Sequence, residues 1–287
     1  MTADNRGFRY GDGLFETLFV RREGIRLFDY HFERLVAGMG VLDLDVPDGF
    51  VKKLAGEVLA LCEVNGSFAS GAAGVKGAAE AAQAKDATGL KGAARVRLAV
   101  FRGESSFMGP VDRRANYIIQ SWPLVEGGVV AAGGGGIMLG VYPDGRKACD
   151  VLSNLKSGNY LLYILAAQYA RKQGFDDCLV LNSQGRLADS TIANIFYIRD
   201  SVFYTPSLSE GGVAGVMRRY LLEVLPRVGY TVVEQPVTVG DLLAADEVFL
   251  TNAIRGIVPV GIFEGRVYER RLSGEIGEHL IRLLGNS

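Results

Sequence analysis

The chain has 287 residues, 48% of them hydrophobic and 22% charged, with a formal net charge of −1. That is enough for a full core in one large or two medium domains, and the near-neutral balance offers neither a basic face for nucleic acid nor an acidic solvating tail. Three irregularly spaced cysteines (Cys62, Cys149, Cys178) and only two histidines (His31, His279) argue against a disulfide framework and against a metal site, and no apolar run approaches the ~20 residues of a membrane span.

Residues 1–10 are polar and lack the apolar stretch of a secretory leader; with reduced thiols this points to a cytoplasmic protein. Residues 13–20 mix β-branched and aromatic side chains and read as a strand, followed by a turn at 21–24 and a return strand at 25–28. Phe32, Leu35, Val36 and Met39 recur at helical spacing, which predicts a helix over 30–40 capped by Asp29; residues 49–64 form a second. Residues 65–94, dominated by Gly, Ala, Lys and Ser, read as a low-complexity insertion. Residues 95–102 alternate as a half-buried strand, and 115–121 form another that ends at Trp122-Pro123. The Gly- and Val-rich stretch 124–136 reads as a linker between a smaller subdomain, 1–123, and a larger one, 137–287.

The second half opens with a strand at 137–141, then a helix over 159–173 that Gly174 stops. Strands at 177–181 and 194–198 flank a segment that holds the Asn182-Ser183-Gln184-Gly185 turn. Residues 202–205 are β-like, 216–225 form a helix opened by Gly215 and stopped at Pro226, 247–251 a strand, and 273–284 a closing helix. Strands and helices mix without strict βαβ alternation, so the expected fold class is α+β with two unequal subdomains.

Five features carry chemistry. Lys156 stands in Ser153-Asn154-Leu155-Lys156-Ser157-Gly158-Asn159-Tyr160, just before a helix, where the helix dipole disfavours a cation. Desolvation there lowers an amine's pKa and keeps it neutral; a solvated lysine is the plain alternative. Asp189 lies between two predicted strands, where a buried carboxylate needs a partner, or else it is a turn aspartate. Gly211-Gly212-Val213-Ala214-Gly215-Val216-Met217-Arg218 is a glycine run opening a helix, whose N–H groups suit phosphate. Arg34 offers bidentate contact to phosphate, or is an ordinary surface arginine. Thr251-Asn252-Ala253-Ile254-Arg255 carries a strand end into a polar turn able to form a second anion nest. An amine, a carboxylate and a phosphate-binding turn, in that order, are the parts that hold pyridoxal 5′-phosphate (PLP).

Together these motifs resemble the class IV (fold type IV) PLP-dependent aminotransferases, a group that includes branched-chain aminotransferases, D-amino acid aminotransferases and 4-amino-4-deoxychorismate lyases. The resemblance runs from Phe8 to about Glu264. It is carried by Tyr10-Gly11-Asp12-Gly13-Leu14-Phe15-Glu16, His31-Phe32-Glu33-Arg34-Leu35, Leu155-Lys156-Ser157-Gly158-Asn159-Tyr160, Asp189 with Asn194-Ile195-Phe196, Gly215-Val216-Met217-Arg218 and Asp246-Glu247-Val248-Phe249-Leu250-Thr251-Asn252. It implies a D-amino acid aminotransferase-like architecture and a homodimer. Lys156 would form the Schiff base and carry the proton, with Tyr160 beside the ring. Arg34, the backbone of Val216 and Met217, and the turn at Asn252, Ala253 and Ile254 would hold the phosphate. Asp189 stands where glutamate is usual, one methylene shorter. Tyr10, Phe15, Arg97 and Arg255 are candidates for the substrate pocket; Arg95 shares the strand face of Arg97, so a structural pair is the alternative there.

The resemblance implies a PLP-dependent class IV aminotransferase acting on a small amino acid/keto acid pair. The alternative is a 4-amino-4-deoxychorismate lyase releasing pyruvate and 4-aminobenzoate. The close spacing at Lys156-Ser157-Gly158-Asn159 looks more like the lyase or D-amino acid branch. A third reading, prompted by Asp189, is a PLP-binding protein with little turnover.

Overall fold

A computed structural model describes residues 4–68, 92–104, 112–124 and 135–285. Residues 69–91 of the expected insertion and 125–134 of the expected linker lie outside the described residues. The chain divides into two compact units, Met1–Ala131 with Leu284–Ser287, and Ala132–Leu283.

The first unit begins with a short helix, α1 (Arg6–Tyr10), and is built on an antiparallel sheet ordered β2-β1-β3-β4. The strands are β1 (Gly13–Arg21), β2 (Gly24–Ile25), β3 (Ala94–Arg102) and β4 (Ala115–Pro123). Helix α2 (Phe28–Val41) packs on β1, and α3 (Phe50–Val64) on β4. The helical spacing read from the sequence is the buried face of α2: Phe32, Leu35 and Met39 are all buried. Glycine lets that helix approach closely, since a Cβ on Gly38 would stand 2.8 Å from a Leu14 methyl.

Three local expectations change here. The return strand is two residues long, not four, and α2 starts earlier than expected. Its N-cap is Leu27, in the left-handed region, and Asp29 falls inside the first turn. Phe28 packs on Phe32 one turn later (ring centroids 4.7 Å apart), which draws the chain into the helix before Asp29. Strand β4 ends at Trp122-Pro123 as expected, but both residues belong to it; β4 is an edge strand, where a missing N–H interrupts no ladder on the open side.

The second unit carries a nine-stranded mixed sheet ordered β10-β9-β8-β11-β12-β5-β6-β7, with β13 paired to β12. In chain order its elements are β5 (Ile137–Val141), α4 (Leu161–Gln173), β6 (Asp177–Leu181), β7 (Leu187–Ser190), β8 (Asn194–Arg199) and β9 (Val202–Pro206). There follow α5 (Val216–Arg227), β10 (Val232–Gln235), α6 (Val239–Leu243), β11 (Glu247–Asn252), β12 (Gly256–Phe263), β13 (Arg266–Val267) and α7 (Arg271–Gly285). The α+β class with two sheets stands.

Phe196, Phe203 and Phe249 bury their rings together with Leu221 and Leu225 of α5, while Tyr142, Tyr163, Ala166 and Ala170 form the α4 cluster. Each such aromatic contributes on the order of 2 kcal/mol by burial. Strand β12 escaped the sequence reading because Pro259 and Gly261 look like breakers. Both are accommodated. Pro259 pairs opposite Phe249, and Gly261 sits at a register shift where a Cβ would meet the Gly135 carbonyl at 1.9 Å. Helix α5 runs through Pro226 to Arg227, because a proline in the last turn removes one intrahelical bond and no more. Strand β7 was also unforeseen, and it sets Asp189 in a buried ladder, the first of its two readings and not the turn aspartate.

Glu247 ties the start of α7 to the sheet. Its carboxylate accepts the N–H groups of Leu272 (2.8 Å) and Ser273 (2.9 Å) and the Ser273 hydroxyl (2.7 Å). Glu247→Ala strands those donors at a helix N-terminus and is expected to lower unfolding free energy by about 2 kcal/mol; the shift in urea midpoint measures it.

Candidate active site

Residues 211–215 join a 3₁₀ turn, Leu208–Glu210, to α5, and the three glycines among them have no room for a side chain. A Cβ on Gly211 (φ 87°) would stand 2.3 Å from the Ala148 carbonyl oxygen, on Gly212 2.6 Å from that of Ala188, and on Gly215 1.8 Å from Asn194 Oδ1. Hydrogen bonds follow the same close approaches. The Ala214 N–H donates to the Asn154 carbonyl (3.0 Å), and Asn154 Nδ2 donates to the carbonyls of Leu208 (2.9 Å) and Gly212 (2.7 Å). The Val213 N–H donates to Asp189 Oδ2 (2.9 Å), and Asn194 Nδ2 to the Val213 carbonyl (2.8 Å). One loop thus holds the segment that leads into Lys156, the strand that carries Asp189, and the N-terminus of α5.

Asp189 is 3% exposed. The Tyr163 hydroxyl lies 3.0 and 2.8 Å from its two oxygens, and Lys147 Nζ lies 3.4 Å from Oδ2 and 2.5 Å from the Tyr163 oxygen. Burial pushes the Asp189 carboxyl above the usual carboxylate range, against the opposing charge of Lys147 and the bonds from Val213 and Tyr163. Burial pushes the Lys147 amine down, with Asp189 pulling it back. The Tyr163 hydroxyl is pushed well up by burial, and further by the Asp189 charge beside it.

Tyr160, the N-cap residue of α4, packs on Tyr163 with ring centroids 4.6 Å apart. Lys156, half-buried in the preceding loop, places Nζ 5.6 Å from the Tyr160 ring centroid. Lys147, Leu155, Ser157, Tyr160, Tyr163 and Val213 line an open cleft at this place. The sequence reading named Lys156, Tyr160 and Asp189 but missed Lys147 and Tyr163. Tyr163 was detectable, three residues beyond Tyr160 on the same helix face. Lys147 was not; its place depends on backbone bonds to Leu181 (2.9 Å) and from Ser183 (3.1 Å) at the far end of β6.

Gly215 provides no side-chain cap to α5, whose first residues are the buried Val216 and Met217. Asn194 beside Gly215 pairs across the sheet with Thr251, which brings in the turn that follows β11. There Asn252 Oδ1 accepts the N–H groups of Ile254 (3.0 Å) and Arg255 (2.9 Å). The Ile254 N–H therefore serves its own turn, a use the sequence reading did not foresee, and Ala253 is the inner residue of that turn.

In the first unit, Arg34 grips Glu16 through Nε (2.8 Å) and Nη2 (2.5 Å), and His31 Nδ1 lies 2.7 Å from the same carboxylate. Burial alone would raise the Glu16 carboxyl, but Arg34 and then His31 outweigh it and hold it at about 2. The motif residue expected at phosphate is thus oriented by a buried carboxylate. Arg97 lies over the Phe15 ring (3.8 Å to the centroid) and Arg95 over Trp122 (4.9 Å), so the two arginines stack on separate aromatics of one sheet face. Tyr10 closes α1, with the Arg6 guanidinium 5.3 Å from its ring centroid.

The sequence matches the amino-transferase class IV family over residues 13–262. It is 29% identical to the aminodeoxychorismate lyase of Vibrio harveyi, over 98% of this chain and 93% of that protein. It is 31% identical to a branched-chain-amino-acid aminotransferase of Pseudomonas aeruginosa, but over 43% of this chain and 40% of that one. Among solved structures, the 4-amino-4-deoxychorismate lyase of Pseudomonas aeruginosa superposes with a TM-score of 0.80 at 28% identity, covering 98% of this chain and 94% of that chain. The branched-chain aminotransferase of Thermoproteus uzoniensis shares the fold, with a TM-score of 0.81 at 24% identity over 100% of this chain and 90% of that chain.

Two stability measurements follow from this geometry. Glu16 has a folded value of about 2 against an ordinary 4.5, so the stability it contributes is fully present above pH 4.5 and is lost as pH falls toward 2. Thermal unfolding of Glu16→Gln is expected to lack that part of the acid limb, on the order of 3 kcal/mol. Gly229 has φ 92° with nothing within 4 Å of a built Cβ, whereas Gly211 has a like φ and a carbonyl in the way. Gly229→Ala is expected to cost about 1 kcal/mol, and Gly211→Ala roughly 2 kcal/mol more, in denaturant midpoints.

Proposed function

Because this chain belongs to the class IV aminotransferase family, we propose that it is a PLP-dependent enzyme in which Lys156 bears the cofactor and carries the proton. Bound PLP supplies an aldehyde for amines and a ring that withdraws electrons from the adjacent carbon. The residues present fit that group. A buried carboxylate, Asp189, is tied through Val213 to the same loop as an uncapped twelve-residue helix start, and through Asn154 to the Lys156 segment. That shared anchoring is the observation that carries the reading.

Each residue has a defined task in it. Lys156 Nζ removes the proton from the carbon bearing the substrate amine, and its loop, pinned at Asn154, limits where that base can reach. Tyr160 would flank the ring, and Asp189 would meet the ring nitrogen. The Val216 and Met217 N–H groups and the Asn252–Ile254 turn would hold phosphate oxygens, and Arg34 is assigned to phosphate by its motif alone. Tyr10, Phe15, Arg97 and Arg255 are assigned to the substrate.

Of the two reactions, elimination of pyruvate from aminodeoxychorismate is favoured by the whole-length likeness to lyases. Transamination of a small amino acid is the second reading, favoured by higher identity to a branched-chain aminotransferase over 43% of the chain. A cytoplasmic homodimer is part of the proposal. Leu161, Ile164 and Leu165 are exposed at helical spacing on α4, and Val151 and Leu152 are exposed in the loop that precedes it, apolar surface suited to a second copy. Among the described residues no helix is long and apolar enough to cross a membrane.

Aminodeoxychorismate, L-branched-chain amino acids and D-alanine offered in parallel separate the reactions. Pyruvate release from the first, with the cofactor absorbance returning unchanged, is expected. Conversion of the cofactor to its pyridoxamine form by an amino acid, with no pyruvate from aminodeoxychorismate, would make the protein a transaminase. Borohydride reduction with peptide mapping should label Lys156; a label elsewhere, or none, refutes the assignment.

A further inference from the structure

Lys147 has no part in the assignments above, yet its amine reaches the buried carboxylate of Asp189. Its backbone is held alongside the end of β6 by the Lys147 N–H to the Leu181 carbonyl (2.9 Å) and the Ser183 N–H to the Lys147 carbonyl (3.1 Å). Its side chain is 11% exposed and ends 3.4 Å from Asp189 Oδ2 and 2.5 Å from the Tyr163 oxygen. Tyr163 in turn spans both Asp189 oxygens at 3.0 and 2.8 Å. A side chain kept so far from water for a contact with one carboxylate loses hydration that a surface lysine retains.

We infer that Lys147 and Tyr163 are positioning residues that hold the shorter Asp189 side chain ionised and aimed at one point, so that Lys147 sets the charge available to a ring nitrogen there. The aiming follows from counting. A carboxylate has about four lone-pair sites. Val213 N–H, Lys147 and Tyr163 all crowd Oδ2, whereas Tyr163 alone approaches Oδ1, which makes Oδ1 the oxygen with a site left for an incoming donor. Charge follows from surroundings. The groups facing Asp189 are Lys147 from the loop after β5, Tyr163 from α4 and the uncharged Val213 N–H from the glycine loop. Cys149 and Asp150 act on Lys147, and Tyr160 on Tyr163. Lys147 is a cation acting on Asp189, so it counters the burial that otherwise favours the protonated acid.

The role toward a ring nitrogen rests on the reading of Asp189 above, and the experiment separates the two. Acid-minus-neutral infrared difference spectra of the full chain report the protonated carboxyl of Asp189, its band assigned by its loss in Asp189→Asn. In Lys147→Met the carboxyl should take up its proton about one pH unit higher than in the unaltered chain, a tenfold change in proton affinity, and Lys147→Arg should restore the original midpoint. In the PLP-loaded protein the bound-cofactor absorbance should titrate with the same displaced midpoint. An unchanged midpoint in Lys147→Met, an equal shift in Lys147→Arg, or an absorbance titration that does not follow the infrared one overturns the inference. If Lys147→Met fails to fold, Tyr163→Phe decides, with a raised midpoint supporting the inference and an unchanged one overturning it. Borohydride labelling of Lys156 is read alongside: its failure defeats the assignment of the cofactor, while the infrared midpoints still report whether Lys147 governs Asp189.

Discussion

The second unit depends on three glycines of one loop that have nowhere to put a Cβ. Gly211, Gly212 and Gly215 lie against the carbonyls of Ala148 and Ala188 and the side chain of Asn194, on three separate segments of the chain. Because close packing transmits small displacements, shifting this loop shifts all three together. The proposed chemistry needs that coupling. An amine, a carboxylate and a phosphate nest would be useful only at fixed mutual distances, and a loop bonded to Asn154, Asp189 and Asn194 ties their segments together with one element.

Each unit also buries an acid, and each solves the desolvation problem differently. Glu16 meets a guanidinium and an imidazole, whose charges outweigh burial and drive its carboxyl down. Asp189 meets one amine, one phenol and one N–H, and burial prevails, so its carboxyl is pushed up. The first arrangement is a rigid ion pair that fixes Arg34. The second stays responsive, which suits the role proposed for Asp189 toward a ring nitrogen.

Legibility along the chain followed the kind of signal involved. Helix α2 was visible because Phe32, Leu35 and Met39 repeat at the spacing that buries them. Strand β12 was hidden by Pro259 and Gly261, which read as breakers until the register shift and the Gly135 contact explain them. Strand β7 was hidden by its brevity and by Asp189 itself, a residue that local preference assigns to turns. Asp29 looked like a cap because cap preference is local, whereas Phe28 stacking on Phe32 is a contact across a turn.

The sequence alone determined the chemistry class: an amine before a helix, an acid, and a glycine-led helix start are local features, and their order along the chain carries the family likeness. It also determined the α+β class, since burial periodicity is a property of neighbours. Only the tertiary structure decided what surrounds Asp189. Lys147 and Tyr163 lie 42 and 26 residues away along the chain, and their meeting depends on how β6, β7 and α4 fold back on one another. Whether a buried acid keeps its proton depends on those long-range neighbours and their desolvation, which no local pattern encodes.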